Sequence, residues 1–124
     1  MKFVFLTALK SEAKALIEEF DLKKSKNNSF FNNNNFSLFI TGMGKEQTLK
    51  NISHFLSFYK DLDETIAINI GIAGGNPKTT SLEDCYLINK IKSETNNDMF
   101  YPDVLIGHNW EERSLITTKK AIEV

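Results

Sequence analysis

The residues best suited to chemistry follow the ends of predicted strands. Thr7, Ala8 and Leu9 end the first apolar segment, and Glu12 follows in the first turn of the next predicted helix. A glutamate in that place can act as a general acid or base over the strand ends. It can equally serve only to favour the helix dipole. Both interpretations of Glu12 stay open on the residues alone.

A second candidate is the segment Thr41-Gly42-Met43-Gly44-Lys45, where a predicted strand meets a predicted helix. Backbone N–H groups at a helix N-terminus can bind an anion or a ribose hydroxyl. The segment lacks the third glycine of a dinucleotide fingerprint and the spacing of a P-loop. A helix start that needs small residues therefore explains it as well.

The stretch from Thr65 to Gly75, TIAINIGIAGG, is the strongest binding signal. Its apolar and β-branched run predicts a strand that is buried on both faces, as in a parallel sheet. The glycines that follow allow positive φ and a close approach of the backbone to a ligand. Ligands of open α/β sheets bind at the carboxyl ends of the strands, so we expect a binding site here.

The other candidates are Tyr101, Asp103 and His108 in a polar loop, His54 in a helix, and the single cysteine, Cys85. Asp103 with His108 suggests acid–base work or metal binding, but two distant histidines without a cysteine cluster predict no metal site. One cysteine excludes an internal disulfide and fits a reducing cytoplasm. Cys85 starts a predicted strand, and we expect it to be a buried, unreactive thiol.

The hydrophobic pattern predicts helices in alternation with strands. Apolar residues at helical spacing predict two helices with core-facing sides, namely Ala13, Leu16, Ile17 and Phe20 in the first and Ile52, Phe55, Leu56 and Tyr59 in the second. Strands are predicted at residues 2–8, 30–31, 36–40, 65–71, 84–91 and 114–118, helices at 10–20 and 45–60, and irregular structure at 93–113. The Asn32–Asn35 tract predicts a hairpin turn, because Asn tolerates left-handed geometry. This alternation predicts an α/β fold with a mostly parallel or mixed central sheet and flanking helices, in a single domain over residues 1–124.

Composition and charge exclude several classes of partner. The chain has 15 Lys and Arg against 16 Asp and Glu, and its net charge of −1 gives no electrostatic footprint for nucleic acid or an anionic membrane. Arg113 is the only arginine, so a multi-arginine phosphate clamp cannot be built. No apolar run reaches the length of a membrane span, and the N-terminal strand lacks a signal-peptide cleavage site. We expect a cytoplasmic protein with no cofactor.

Taken together, these segments resemble the nucleoside phosphorylase/nucleosidase superfamily, especially the methylthioadenosine/S-adenosylhomocysteine nucleosidases. MKFVFLTALKSEAKAL looks like the first strand of that family with its acidic segment, and TGMGKEQT resembles its Ser/Thr-Gly-Ile/Met-Gly-Lys segment. INIGIAGG is similar to its Asn-x-Gly-x-Ala-Gly-Gly strand end, and LEDCYLINKI falls where the family has a Gly-Asp-Ile/Val strand. The resemblance keeps this order through most of the chain.

The resemblance implies hydrolysis of the N-glycosidic bond of a purine nucleoside such as methylthioadenosine or S-adenosylhomocysteine, as in methionine salvage. Glu12 matches the glutamate that activates the attacking water, and Leu9 and Met43 match apolar residues against the sugar and its 5′ substituent. The implied substrate-binding residues are Ala8, Leu9, Met43, Gly44, Gly71, Ile72, Ala73 and Gly74. The implied partners are a nucleoside or purine base and further copies of the chain, in a homodimer or larger homo-oligomer.

Two departures from the family pattern narrow this expectation. Asn69 stands where phosphorylase members have a phosphate-binding arginine, which argues against phosphorolysis. Ile72 replaces a Ser or Thr that orients the nucleophile, so a degenerate relative that only binds a nucleoside or base stays open, as does an unrelated α/β nucleotide-binding domain. Family members continue into a ribose-binding Met-Glu segment and a base-protonating aspartate. By this resemblance the chain is the N-terminal part of such an enzyme and incomplete for catalysis, and residues 119–124 look like the opening of a further element.

Overall fold

The computed structural model describes residues 2–26 and 29–118. Its contacts divide the chain into two compact units, Met1–Ile72 and Ala73–Val124. The predicted element at residues 119–124 lies outside the described residues, and the single domain over residues 1–124 stays a prediction.

The first unit is a mixed sheet with a helix on each face, which confirms the α/β class. Its strands are β1 (Lys2–Thr7), β2 (Lys23–Lys24), β3 (Phe30–Asn32), β4 (Phe36–Ile40) and β5 (Thr65–Asn69), and its helices are α1 (Lys10–Glu19) and α2 (Lys45–Phe58), with a 3₁₀ turn at Leu62–Glu64. The strand order is β2-β3-β4-β1-β5. Strands β4, β1 and β5 run parallel, whereas β2, β3 and β4 pair antiparallel. The carboxyl ends of the three parallel strands therefore share one edge.

Helix α1 covers one face of this sheet through the apolar residues that its periodicity predicts. Ala13 is fully buried against Phe5 and Leu38, and Leu16, Ile17 and Phe20 are partly buried against the same cluster. Because small Ala13 lies at the contact, the helix backbone can approach the sheet closely. This face of the first predicted helix is confirmed.

Helix α2 covers the opposite face with aromatic side chains. Phe55 is 3% exposed and stacks on Phe39 at 4.9 Å between ring centroids. Ile52 and Tyr59 also pack on this cluster, as predicted, but Leu56 is 48% exposed and does not belong to the core. Phe58 packs there instead, because it lies three positions after Phe55 on the side of the helix that faces the sheet.

Strand β5 is less buried than its sequence predicts. Its side chains are half-buried or exposed, and within the described residues the strand is at the edge of the sheet, paired with β1. The prediction of a strand buried on both faces is therefore wrong. The apolar residues of β5 fit a strand that has one neighbour, β1, and whose half-buried Ile68 packs against the core under α1.

The asparagine tract forms the predicted turn between β3 and β4, but not by left-handed geometry. The side-chain oxygen of Asn33 accepts hydrogen bonds from the backbone N–H groups of Asn35 and Phe36, both at 2.8 Å. Its amide nitrogen donates to the carbonyl of Phe20 at 2.7 Å. The described non-glycine residues with positive φ are elsewhere, at Asp21, Glu83 and Asn97. Side-chain hydrogen bonding, as in an Asx turn, therefore makes this connection.

Thr7 carries a buried hydroxyl without a partner in the described part of the chain. The residue is 0% exposed, and its Oγ1 makes no hydrogen bond. An unmade buried hydrogen bond costs about 1–3 kcal/mol. We therefore expect Thr7→Val to raise the free energy of unfolding by about 1 kcal/mol in urea titrations.

Thr41 provides the matched control for that substitution. It is also buried, but its hydroxyl donates to the carbonyl of Thr7 at 3.3 Å or of Gly42 at 3.1 Å. Thr41→Val should lower the free energy of unfolding, and a loss of the same size from Thr7→Val would show that the Thr7 hydroxyl has a partner.

The second unit is a three-stranded sheet. Its strands are β6 (Tyr86–Ser93), β7 (Met99–Phe100) and β8 (Glu111–Thr117), in the order β7-β6-β8. Strands β6 and β8 run parallel, and β6 and β7 antiparallel. The prediction of irregular structure over residues 93–113 is wrong in part, because β7 lies within this segment and β8 begins near its end, at Glu111. The strand predicted at 114–118 overlaps the second half of β8. Neither the two-residue β7 nor the charged start of β8 has the apolar alternation that would predict a strand.

The structure corrects the expectation that Cys85 is buried, since no side chain among residues 73–118 is buried. Cys85 lies just before β6 and is exposed, not buried. It precedes the first strand residue, Tyr86, in a segment whose side chains face solvent. Because no helix covers the three strands among the described residues, the apolar side chains of this unit are at most half-buried.

Candidate functional site

Glu12 is the centre of the candidate site, because its carboxylate joins the ends of two strands. Oε1 accepts hydrogen bonds from the backbone N–H groups of Ala8 at 3.1 Å and Leu9 at 2.9 Å. Oε2 accepts one from the backbone N–H of Ile72 at 3.0 Å. The side chain thus links the turn after β1 to the segment after β5.

The first turn of α1 explains why Glu12 reaches these groups. Leu9 is the N-cap, and Glu12 occupies the third helical position, from which a glutamate reaches back to the N-cap N–H. Leucine has no side-chain acceptor, so only this half of a capping box forms. The carboxylate satisfies donors that a helix start leaves unpaired, and its negative charge lies at the positive end of the helix dipole.

The segment after β5 passes unusually close to this carboxylate. Ile70 continues the strand pairing by donating to the carbonyl of Leu6 at 3.0 Å. A Cβ atom placed on Gly71 would lie 3.0 Å from Glu12 Oε2. Glycine at this position therefore allows the chain to pass beside the carboxylate and to bring the Ile72 N–H into contact.

The Thr41–Gly44 turn lies at the same edge, since β4 neighbours β1. Thr41 extends the pairing by donating its N–H to the carbonyl of Thr7 at 2.7 Å. Two side chains of α2 hold the turn: Asn51 donates to the carbonyl of Thr41 at 2.7 Å, and Thr48 donates to that of Gly42 at 3.3 Å. These two helix residues were missed by sequence reasoning, because polar residues in a helix give no signal of the carbonyls that they cap.

The two glycines of this turn both have positive φ, +81° at Gly42 and +84° at Gly44. A Cβ atom on Gly42 would meet Gln47 Cγ at 2.7 Å and the Asn51 amide at 3.3 Å, whereas one on Gly44 would meet nothing within 4 Å. Left-handed backbone costs a non-glycine residue about 1–2 kcal/mol. We expect Gly42→Ala to lower the free energy of unfolding by this amount and by a further contribution from the displaced Gln47 and Asn51 side chains, as measured by urea unfolding.

Gly44→Ala is the control, because it carries the backbone cost without the contact. An equal loss for the two alanine variants would contradict the role given to the close packing around Gly42.

The predicted substrate-binding residues divide between the two units. Ala8, Leu9, Gly71 and Ile72 surround Glu12 directly through the bonds and approach described above. Met43 and Gly44 lie in the turn after β4, at the same carboxyl ends of the strands, and the Met43 side chain is 67% exposed. Ala73 and Gly74 are exposed and belong to the second unit.

In the second unit, the partners of His108 are Trp110 and Glu112, and Asp103 is not among them. His108 Nδ1 accepts a hydrogen bond from the backbone N–H of Trp110 at 3.1 Å, and its Nε2 lies 3.8 Å from a Glu112 carboxylate oxygen. The His108 ring stacks on that of Trp110. The acid–base pair of Asp103 and His108 considered from the sequence is therefore not assembled.

A polar network around Tyr86 has the clearest electrostatics in the described residues. Asp84 accepts hydrogen bonds from the backbone N–H of Ser81 at 2.9 Å and the Tyr86 hydroxyl at 3.0 Å, which hold the pKa of Asp84 below its ordinary value. Partial burial and the neighbouring Asp84 raise the pKa of Tyr86. Arg113 lies 4.8 Å from the centre of the Tyr86 ring and pairs with Glu111 at 3.0 Å. These side chains are therefore hydrogen-bonded to, paired with or stacked on one another.

Residues 2–26 and 29–118 contain no group of three or more His, Cys, Asp or Glu side chains able to hold a metal ion. Neither α1 nor α2 combines the length and apolar character that crossing a bilayer requires. Comparisons with protein-family models, with curated proteins and with solved structures found no match.

Proposed function

We propose that this chain is purine nucleosidase-like and supplies the water-activating part of a site that hydrolyses the N-glycosidic bond of a nucleoside such as methylthioadenosine or S-adenosylhomocysteine. The observation that carries the proposal is the Glu12 carboxylate, fixed by three backbone N–H groups at the shared carboxyl edge of β1 and β5. This is the edge at which open α/β sheets bind ligands. The order of segments that resembles the nucleosidase family supports the choice of reaction.

Glu12 keeps the capacity to act as a base. An ionised carboxylate has about four acceptor positions, and three are occupied by backbone donors, two of them on Oε1. A water that donates to the remaining position on Oε2 would be held at the sheet edge. Its proton passes to Glu12 as its oxygen bonds to the anomeric carbon of ribose.

The C–N bond to the purine breaks in the same reaction, and its electron pair leaves with the base. The base then takes a proton from an acid, which the family resemblance assigns to residues beyond the part of the enzyme that this chain matches. Hydrolysis is favoured over phosphorolysis because Arg113 is the only arginine and because Asn69 lies at the end of β5. We expect this chain alone to release no adenine from methylthioadenosine.

A substrate that needs no acid tests the water-activating part by itself. p-Nitrophenyl β-D-ribofuranoside has a leaving group stable as an anion, so activation of water is sufficient. We expect the 124-residue chain to release p-nitrophenolate faster than buffer does. Methylthioadenosine should shift the backbone amide NMR signals of Leu9, Gly44, Gly71 and Ile72. Absence of both effects would overturn the proposal.

The second candidate is a degenerate relative that binds a nucleoside or base without catalysis. Ile72 favours it, because its side chain is 84% exposed beside Glu12 and offers no hydroxyl to orient a nucleophile. Amide shifts on addition of methylthioadenosine or adenine, together with a riboside rate equal to that of buffer, would select this candidate.

The proposal includes a cytoplasmic location and a homodimer or larger homo-oligomer as the working form. The single cysteine fits a reducing compartment. Leu49 and Leu56, on one side of α2, are 58% and 48% exposed, which supports a contact with another protein surface.

A further inference from the structure

A polar groove lies in the first unit at the amino ends of the parallel strands, opposite the carboxyl ends near which Glu12 lies. Its volume is about 180 Å³. It is lined by the Asn32–Asn35 turn and Ser37, by the paired Lys2 and Asp61, and by Phe30 and Tyr59. We call this cavity the asparagine groove. The groove is separate from Glu12, because β1 and β4 begin at the groove and end at the candidate site.

Two aromatic residues line the groove, but their rings are not parallel to each other. Phe30 is buried and Tyr59 half-buried, with their ring planes at 74° and their centroids 6.4 Å apart. A flat nucleobase is held best between parallel faces, which these rings do not provide. Because Phe30 is buried, the half-buried Tyr59 supplies the exposed aromatic surface, of the kind that the C–H face of a sugar ring covers.

The asparagine residues of the groove include side chains that make no hydrogen bond within the described structure. Asn33 makes the turn with its own amide, as described above. The side-chain amides of Asn34 and Asn35 are exposed and have no hydrogen-bond partner among the residues that the structure describes. Each amide has donors and an acceptor, which match adjacent hydroxyl groups.

The charges of the groove compensate each other. Lys2 Nζ donates to an Asp61 carboxylate oxygen, and this hydrogen bond raises the pKa of Lys2 above its ordinary value. One cation and one anion leave the lining without net charge. Such a lining favours a neutral ligand over a phosphate or a cation, because a charged ligand would compete with a pair already formed.

We propose that the asparagine groove binds a neutral polyhydroxylated molecule of one ring, a monosaccharide or cyclitol. The cavity volume of about 180 Å³ admits one such ring. Its hydroxyls replace water on Asn34, Asn35 and Ser37, and its apolar face covers Tyr59. The site is independent of the nucleoside site proposed at the other edge.

Titration of the ¹⁵N-labelled chain with D-glucose, D-galactose, D-ribose and myo-inositol tests this inference. We expect at least one of them to shift the backbone amides of residues 32–37 with a millimolar dissociation constant. The double variant Asn34→Ala/Asn35→Ala should weaken this binding about tenfold or more. It keeps Asn33, so the turn and the fold are retained. Asn109→Ala, at an exposed position of the second unit, is the matched control and should bind like the unchanged chain.

Three results would overturn the inference. The first is the absence of shifts at residues 32–37 with all four probes. The second is equal binding by the double variant and the unchanged chain. The third is a stronger response of these amides to inorganic phosphate or adenine than to every sugar, since either would show that the groove selects charge or a flat ring. The first result includes the case in which shifts are confined to Leu9, Gly71 and Ile72, which would place a sugar at the Glu12 site.

Discussion

We expect the Glu12→Gln variant to release p-nitrophenolate from the riboside roughly a hundred- to ten-thousand-fold more slowly, or at the rate of buffer, because a neutral amide cannot accept a proton from water as a carboxylate does. The substitution preserves the length and shape of the side chain. Initial rates followed by absorbance measure the effect.

The same variant also tests the structural bonds of Glu12. Glutamine can still accept from Leu9 through its one oxygen, but its amide group then faces the donor N–H of Ile72. We expect the free energy of unfolding in urea to fall by about 1–3 kcal/mol, the cost of an unpaired hydrogen-bonding group. NMR spectra establish that the variant is folded under the assay conditions.

Glu18→Gln is the matched control, because Glu18 is exposed on the same helix. It should change neither the rate nor the stability. If Glu12→Gln lowered stability but left the riboside rate unchanged, Glu12 would be a structural link between β1 and β5, and the catalytic proposal would fail.

The second large effect is expected at Phe39, in the centre of the α2 face. Its side chain is 1% exposed, and it contacts Phe55 and Phe58 at centroid distances of 4.9 and 6.4 Å. We expect Phe39→Ala to lower the free energy of unfolding by about 3–5 kcal/mol, because it removes buried apolar area and leaves a cavity. Urea unfolding monitored by circular dichroism measures the loss.

A domain is stabilised by only about 5–15 kcal/mol, so Phe39→Ala can unfold much of the population. Phe39→Leu provides a milder variant with a smaller loss in the same direction. Phe100→Ala, at a position 58% exposed in β7, should cost less than about 1 kcal/mol. Equal losses at Phe39 and Phe100 would contradict the packing described for α2.

Helical periodicity predicted most of the first unit because each helix has a single sheet face to cover. The spacing of Ala13 and Ile17 located α1, and that of Phe55 and Tyr59 located α2. Leu56 was misplaced because apolar character alone does not tell which side of a helix faces the sheet. The second half of strand β8 was predicted, but its start was missed because it begins with the charged residues Glu111 and Glu112, and its pairing with β6 becomes visible only in three dimensions.

The sequence could predict that Glu12 and Gly71 of the candidate site lie close together, but not the hydrogen bonds that join the site. Glu12 and Gly71 follow strand ends, and parallel strands bring such ends to one edge. That Glu12 accepts the N–H of Ile72 depends on β5 pairing with β1, and no local pattern determines strand order. The asparagine groove was hidden for the same reason, since Lys2 and Asp61 meet the Asn32–Asn35 turn only after the sheet has formed.

The register of β1 also bears on how the protein is made. Its partners begin at Phe36 in β4 and at Thr65 in β5, far along the chain. Pairing between such distant segments is slow, because closing the long loop between them costs conformational entropy before their contacts form. The β3–β4 hairpin closes locally and needs no distant partner. We expect the hairpin to form early during synthesis, whereas β1 leaves the ribosome first and gains its last neighbour only when Asn69 has followed.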